Sequence, residues 1–314
     1  MIKDKEWVMS YSVKSIRKEF KKNGIFYTPP ELIDFMYKYI PSNLNPSSAY
    51  DPTCGHGALL RGLPDDVKKY GQDINDVAVN ACQDIPNSDI RIGDTLSTPH
   101  FIDEKFDLIL ANPPFSVNWE RVHYSWIPKD IPALPPKSKA DYAFILHCLH
   151  CLDENGIAII MNFPGILYRG QSEGKIRKWL VDNNYIERVV LIPGGKFEDT
   201  SIATALLVLR KNKTNQDIIF ENEDEERTAS IQEVIDNNYV LSVSNYIEKE
   251  IKKETINPLE LEQEARSSLI EHIDKSISFS FESSKIMGWD SIDPLLDNIS
   301  DLVDSWRQRI RNDK

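Results

Sequence analysis

Between Phe26 and Arg210 the chain alternates short β-branched or apolar runs with stretches of helical periodicity, a pattern that restricts it to an α/β sheet with crossing helices. Strands are predicted over residues 49–51, 70–73, 90–92, 106–111, 157–161, 189–192 and 203–209. Helices are predicted over 29–40, 58–63, 76–84, 141–152 and 173–183. Seven strands joined in this way give a doubly wound, Rossmann-like sheet, with its ligand beyond the C-terminal strand ends near the first strand-to-helix turn. After Arg210 the strand signal fades. Residues 258–310 read as mainly helical, with Leu295, Leu296, Ile299, Leu302, Val303, Trp306 and Ile310 forming an apolar stripe. That stripe either folds back on the sheet or docks on a partner. The expected division is a basic helical arm (1–24), a sheet domain (25–214) and an acidic, mainly helical C-terminal region (215–314).

Charge sharpens this division. The formal net charge of the 314 residues is −12, yet residues 215–314 hold 23 acidic and 11 basic side chains while residues 1–214 hold 26 of each. The acidity belongs to the last third, and the first two-thirds remain compatible with a nucleic-acid partner. Lys14, Arg17, Lys18, Lys21 and Lys22 share one helix face, which is either solvated or set against phosphates. The opening Met-Ile-Lys-Asp-Lys-Glu has no apolar core, so no secretory signal is expected. No apolar run approaches the ~20 residues of a membrane span. Four scattered cysteines suit a reducing compartment, and a cytoplasmic location is expected.

Four short segments carry chemistry. Thr28-x-x-Glu31 with Pro29 and Pro30 reads as a capping box, a helix start whose free amide groups attract a carboxylate. Asp51-Pro52-Thr53-Cys54-Gly55-His56-Gly57 follows a strand, and its glycines let the backbone pass close to a ligand. Leu60 stands where a dinucleotide fingerprint needs its third glycine, so that match fails. Asp73 at the end of the second strand can take the two hydroxyls of a ribose, and Asp94, beside Thr95, can accept from an adenine amine. Either is also a plausible cap or turn residue. The last segment is Asn112-Pro113-Pro114-Phe115, directly after the apolar run 106–111.

Two prolines fix that strand end, and the residue before a proline is driven to extended geometry. The corner therefore presents the Asn112 side-chain oxygen and the Pro113 carbonyl as paired acceptors beside the Phe115 ring. An aromatic amine is a poor nucleophile because its lone pair is delocalised. Two acceptors gripping both N–H bonds draw the nitrogen towards tetrahedral geometry and stabilise the positive charge that develops, an oxyanion hole with its sign reversed. No strong base is needed.

In this order, Phe-Tyr-Thr-Pro-Pro, Asp-Pro-x-Cys-Gly-x-Gly, Gly-Asp-Thr-Leu and Asn-Pro-Pro-Phe resemble the γ-class DNA adenine-N6 methyltransferases. Lys139-Ala140-Asp141-Tyr142-Ala143-Phe144-Ile145, the segment from Gly165 to Gly170, Ile176-Arg177-Lys178 and the run from Lys196 to Thr204 extend the likeness to the modification (M) subunits of type I restriction–modification systems, over about residues 25–247. The resemblance implies S-adenosyl-L-methionine as cofactor and a DNA adenine flipped out of the helix as substrate. It assigns Phe26, Tyr27, Thr28 and Pro29 to the methionine end. Asp51, Thr53 and the turn Gly55-His56-Gly57 would hold the amino-acid portion and sulfonium region. Asp73 would take the ribose, Ile74 would lie against the adenine, Asp94 and Thr95 would meet its amine, and Phe144 would pack on that ring. Asn112, Pro113, Pro114 and Phe115 would be catalytic, with Phe115 and Phe197 contacting the target base. No metal is implied.

The chain departs from the pattern twice. Only residues 1–25 precede the Phe-Tyr-Thr-Pro segment, where M subunits usually carry a helical domain. After the sheet domain comes an acidic stretch instead of a target-recognition domain, and acid is a poor surface for DNA. A separate DNA-specificity subunit is therefore expected, docked partly through the C-terminal helices, with an endonuclease subunit as a further potential partner. The loop 127–139 with Arg169, Lys175, Arg177 and Lys178 offers candidate phosphate contacts. His147-Cys148-x-x-Cys151, with His150, has zinc-like spacing but lies on an apolar helix face and reads as core packing. Two other readings stay open: N5-methylation of a protein glutamine, and an M-like subunit that binds DNA or partner without turnover.

Overall fold

The computed structural model describes residues 28–195 and 203–247, with isolated helical positions between 266 and 304. The chain divides into two compact units, Met1–Lys249 and Glu250–Lys314. The basic arm (1–24), Phe26, Tyr27, Phe197 and the apolar stripe 295–310 apart from Val303 lie outside the described residues. Among the described positions of the second unit, Ile270, Phe279 and Val303 are exposed. No helix among the described residues is long and apolar enough to cross a membrane.

The first unit is built on one sheet. Its strands are β1 (Ser48–Asp51), β2 (Lys68–Asp73), β3 (Ser88–Ile92), β4 (Phe106–Ala111), β5 (Leu152–Asn162), β6 (Ile186–Ile192), β7 (Thr204–Leu209), β8 (Ile218–Glu221) and β9 (Glu226–Ala229). Their spatial order is β3-β2-β1-β4-β5-β7-β6-β8-β9. The first five strands run parallel, and β7 enters antiparallel between β5 and β6. The helices are α1 (Pro30–Tyr37), α2 (Ala58–Arg61), α3 (Asp76–Asn80), α4 (Asp141–Cys151), α5 (Gln171–Asp182) and α6 (Ile231–Asp236).

Side-chain alternation along the strands produces two cores. Tyr50, Phe106, Ile109 and Ala111 pack on the face covered by α4, while Ala49, Leu108 and Leu110 pack on the face covered by α1 and α2. Strand β4 is covered on both sides, which is why its sequence is a nearly unbroken apolar run. The chain winds outward from β1 to β3 and then returns to start again at β4. Strands β1 and β4 therefore lie side by side at a topological switch point, where both strand ends open onto one crevice.

Two expectations need correction. The sheet has nine strands instead of seven, because β8 pairs parallel with β6 and β9 pairs antiparallel with β8. Strand β9 is an edge with only Ala229 buried, so it lacks the apolar alternation that marks a strand in sequence. Arg188 on β6 bridges the addition through ion pairs to Glu221 and Glu226. The capping box is also absent: Pro29 takes the cap position of α1 with ψ 150°, and no side chain caps the helix. Pro30, in the first turn, has no N–H to cap, and Thr28 falls one residue too early.

Candidate active site

The corner after β4 is fixed at both ends. At its start, Asn112 Nδ2 donates to Thr28 Oγ1 at 3.3 Å, which turns Oδ1, the acceptor end of the amide, away from Thr28. The hydroxyl read as a helix cap therefore orients an amide 84 residues away. Pro113 is buried, and Phe115 is half-buried against the core under α1 and α2. At the far end Ser116 has φ 53°, and its N–H donates to Asp141 Oδ1 at 3.1 Å.

The turn after β1 approaches the same crevice by different means. Gly55 (φ 50°) and Gly57 (φ 74°) both occupy the left-handed region. A Cβ on Gly57 would lie 2.3 Å from Ile85 Cδ1, whereas one on Gly55 would point into open space. Gly57 is therefore favoured by its left-handed backbone, with Ile85 and Cys82 close against it, and Gly55 leaves room beside the cleft. Asp51 ends β1 at 2% exposure and accepts from Thr53 N–H at 3.0 Å. Burial pushes its carboxyl up to about 8. Thr53 Oγ1 is buried with no hydrogen-bond partner among the described residues.

Both strand ends face a solvent-open cleft, lined by Pro52 and Thr53 after β1 and by Asn112 and Pro114 after β4. Asp73 lines it and accepts from Gly55 N–H at 2.8 Å and Asn75 N–H at 2.9 Å. Asp94 accepts from Leu96 N–H and from the Ser97 hydroxyl, so it is a turn residue as well as a lining one. Thr95 and Phe144 also line the cleft; Thr95 Oγ1 donates to the Pro52 carbonyl. Ile74 is 74% exposed beside it, a large apolar surface facing water. The smaller recess that Asn112 shares with Thr28, Asp51, Thr53 and His56 adjoins the glycine turn.

The sequence reading missed one wall of the cleft. Val117, Asn118 and Trp119 line it from the long segment between β4 and α4. That segment has no regular structure yet is anchored: Trp119 Nε1 donates to Pro136 O at 2.9 Å, and Trp126 Nε1 donates to Leu96 O at 3.2 Å. A strand-to-helix connection beyond ~15 residues is usually functional, and that length was the available signal.

The expected phosphate contacts divide. Arg177 is buried and donates to the carbonyls of Ile166, Arg169 and Tyr239, a structural clamp in place of a surface cation. Arg169 pairs with Glu173, and Lys178 pairs with Asp182. Lys129, Lys137 and Lys175 are exposed. His147 is fully buried between Tyr50 Oη at 3.2 Å and Cys151 Sγ at 3.7 Å, and burial pulls its pKa down to about 3. Among the described residues no group of three or more His, Cys, Asp or Glu is arranged to hold a metal.

Residues 6–228 match the family described as N-6 DNA Methylase. A methylase subunit of the type I restriction enzyme MpnII from Mycoplasma pneumoniae is 36% identical over 230 residues, covering 64% of this chain and 42% of that protein. The MjaIX methylase subunit from Methanocaldococcus jannaschii is 30% identical over 220 residues, covering 62% and 38%. The crystal structure of a type I restriction–modification methyltransferase subunit from Streptococcus thermophilus superposes with a TM-score of 0.65 at 30% identity, covering 71% of this chain and 59% of that one. The chain thus spans less than half the length of these two curated relatives.

Proposed function

The chain belongs to the N-6 DNA methylase family, and from that premise we propose that it transfers a methyl group from S-adenosyl-L-methionine to N6 of an adenine flipped out of DNA. The reading is that it does so as the modification subunit of a type I-like assembly. The observation that carries this reading is the Asn112 amide, whose nitrogen is engaged by Thr28 so that its oxygen is left as an acceptor at a rigid strand end.

The residues of the cleft suit the cofactor. In the adjoining recess the buried carboxyl of Asp51, once ionised, offers a partner for an ammonium group. Thr53 Oγ1 is an orphaned hydroxyl awaiting one, and the missing Cβ of Gly55 leaves the backbone open to close approach. Asp73 keeps lone pairs for ribose hydroxyls despite its two main-chain donors. Ile74 and Phe144 offer apolar surface for an adenine, with Trp119 on the wall contributed by the long connection.

When bound, the cofactor supplies an electrophilic methyl group. The chain's own part is to grip the amine: Asn112 Oδ1 and the Pro113 carbonyl accept its two N–H bonds, and the Phe115 ring stacks on the base. Withdrawing a base from the duplex costs a few kcal/mol, and stacking on an aromatic returns ~1–3 kcal/mol. The proton leaves after the nitrogen has become cationic, so the buried, neutral His147 has no part in it. Sequence specificity is assigned to a separate DNA-specificity subunit, with an endonuclease subunit as a further partner and the cytoplasm as the location. The acidic residues 215–314 are the part least suited to touch DNA.

The test is transfer of label from radioactive cofactor, offering unmethylated DNA and a mixed polypeptide fraction to the chain with its copurified partners. Label in DNA as N6-methyladenine is expected, and Asn112→Ala should slow its appearance by about 100-fold or more. Label in polypeptide would instead indicate glutamine methylation. Cofactor binding without transfer to either would indicate a binding subunit.

A further inference from the structure

Asp141 is a charged side chain at 2% exposure to which the reading above gives no role. It stands at the first position of α4, yet no side chain caps that helix; the carboxylate bonds to the segment after β4 instead. Its Oδ1 accepts the N–H of Ser116 at 3.1 Å, and its Oδ2 is buried with no hydrogen-bond partner among the described residues. A buried acceptor left half-satisfied is unusual enough to require a reason.

Ser116 supplies the reason. It is the residue at which the Asn112–Phe115 corner ends, and its φ of 53° is one that residues other than glycine hold only when their surroundings impose it. A second bond runs the other way, from Ala140 N–H to the Val117 carbonyl at 2.9 Å. The backbone leaving the corner is thus tied twice to the first turn of a buried helix. That helix is itself anchored by Tyr142, whose hydroxyl donates to the Ile166 carbonyl at 2.8 Å.

We infer that Asp141 is a positioning residue for the methyl transfer proposed above, on which this inference rests. By holding Ser116 in its left-handed turn it sets the direction of the Phe115 ring and the Pro113 carbonyl. It touches neither cofactor nor base.

Single-turnover methylation and cofactor affinity, both measured on the complete chain with its copurified partners, test this. Asp141→Ala is expected to slow transfer by about tenfold to about 100-fold, the scale of an ångström-sized misplacement, with cofactor affinity unchanged. Asp141→Asn should restore most of the rate, because its amide oxygen accepts the same N–H. Adding Ser116→Gly to Asp141→Ala should recover part of it, because glycine adopts the turn unaided. If Asp141→Ala transfers at the wild-type rate while Asn112→Ala is inactive, the positioning role fails alone. It also fails if Asp141→Asn is as slow as Asp141→Ala, or if rate and cofactor affinity fall together. An active Asn112→Ala would instead sink the underlying reaction. Should Asp141→Ala not fold, Ser116→Val leaves α4 intact and disfavours the same turn. A comparable loss of rate is then expected, and the wild-type rate would overturn the inference.

Discussion

Strands β1 and β4 are neighbours, and the loops that leave them solve one problem in opposite ways. The turn after β1 gains close approach from two left-handed glycines beside the buried carboxyl of Asp51. The corner after β4 gains rigidity from two prolines and presents acceptors. A charged, polar ligand end calls for backbone that can come near it. A reacting amine calls for acceptors that do not move while charge develops, because preorganised dipoles need not reorganise during the reaction. On the proposed reading the first loop binds the cofactor and the second holds the reacting amine still.

Substitutions at the two loops should therefore separate binding from turnover. The largest effect is expected at the corner: Asn112→Ala should lower the single-turnover rate by about 100-fold to about 1,000-fold, with cofactor affinity intact by calorimetry. Equal losses in both would erase the distinction. Asp51→Asn should do the reverse, weakening cofactor binding by about tenfold to about 100-fold through loss of a charged hydrogen bond.

Asp51 also sharpens the contrast through pH. Its carboxyl is raised to about 8 by burial, so below that pH it is mostly neutral and cannot pair with an ammonium. Binding favours the ionised form and releases a proton, so affinity should rise with pH towards 8, approaching about tenfold per unit. Above that, loss of the cofactor's own ammonium reverses the trend. In Asp51→Asn the rise should vanish, and titration calorimetry in buffers of different ionisation enthalpy would count the released proton.

Gly57→Ala tests whether the glycine turn depends on its packing. With φ 74° and a Cβ 2.3 Å from Ile85, it should lower stability by about 1–3 kcal/mol, read as a lowered melting temperature together with weaker cofactor binding. Thr28→Val should have the smallest effect, about twofold to about tenfold on the transfer rate, as befits one neutral hydrogen bond. Thr28→Ser should retain the wild-type rate. A Thr28→Val enzyme with normal turnover would mean that the Asn112 amide is oriented by something else.

Much of this arrangement was legible in the chain. Seven strands fell close to their expected positions, most clearly β4 and β7, whose burial imposes an apolar run. The two exceptions, β8 and β9, are short, and β9 turns three of its four residues outward, so no pattern is imposed on it. The Asn-Pro-Pro-Phe corner was readable because proline restricts its own backbone covalently. The capping box was misread because Thr-x-x-Glu is a local signal that a more local one, the fixed φ of Pro29, overrode. Arg177 passed for a surface cation because its sequence neighbours Lys175 and Lys178 are exposed. Only the helix's packing turns it towards three distant carbonyls.

By itself, then, the sequence determined the alternation of strands and helices, the glycine turn and the stiff corner, all of which are set by forces acting over a few bonds or by side-chain periodicity. The order of strands across the sheet decided the rest. Thr28 meets Asn112, Ser116 meets Asp141 and Trp119 walls the cleft because β1 and β4 lie side by side with α4 behind them. Residues tens of positions apart are brought within hydrogen-bond reach by the packing of both faces, and no local pattern records which of them will touch.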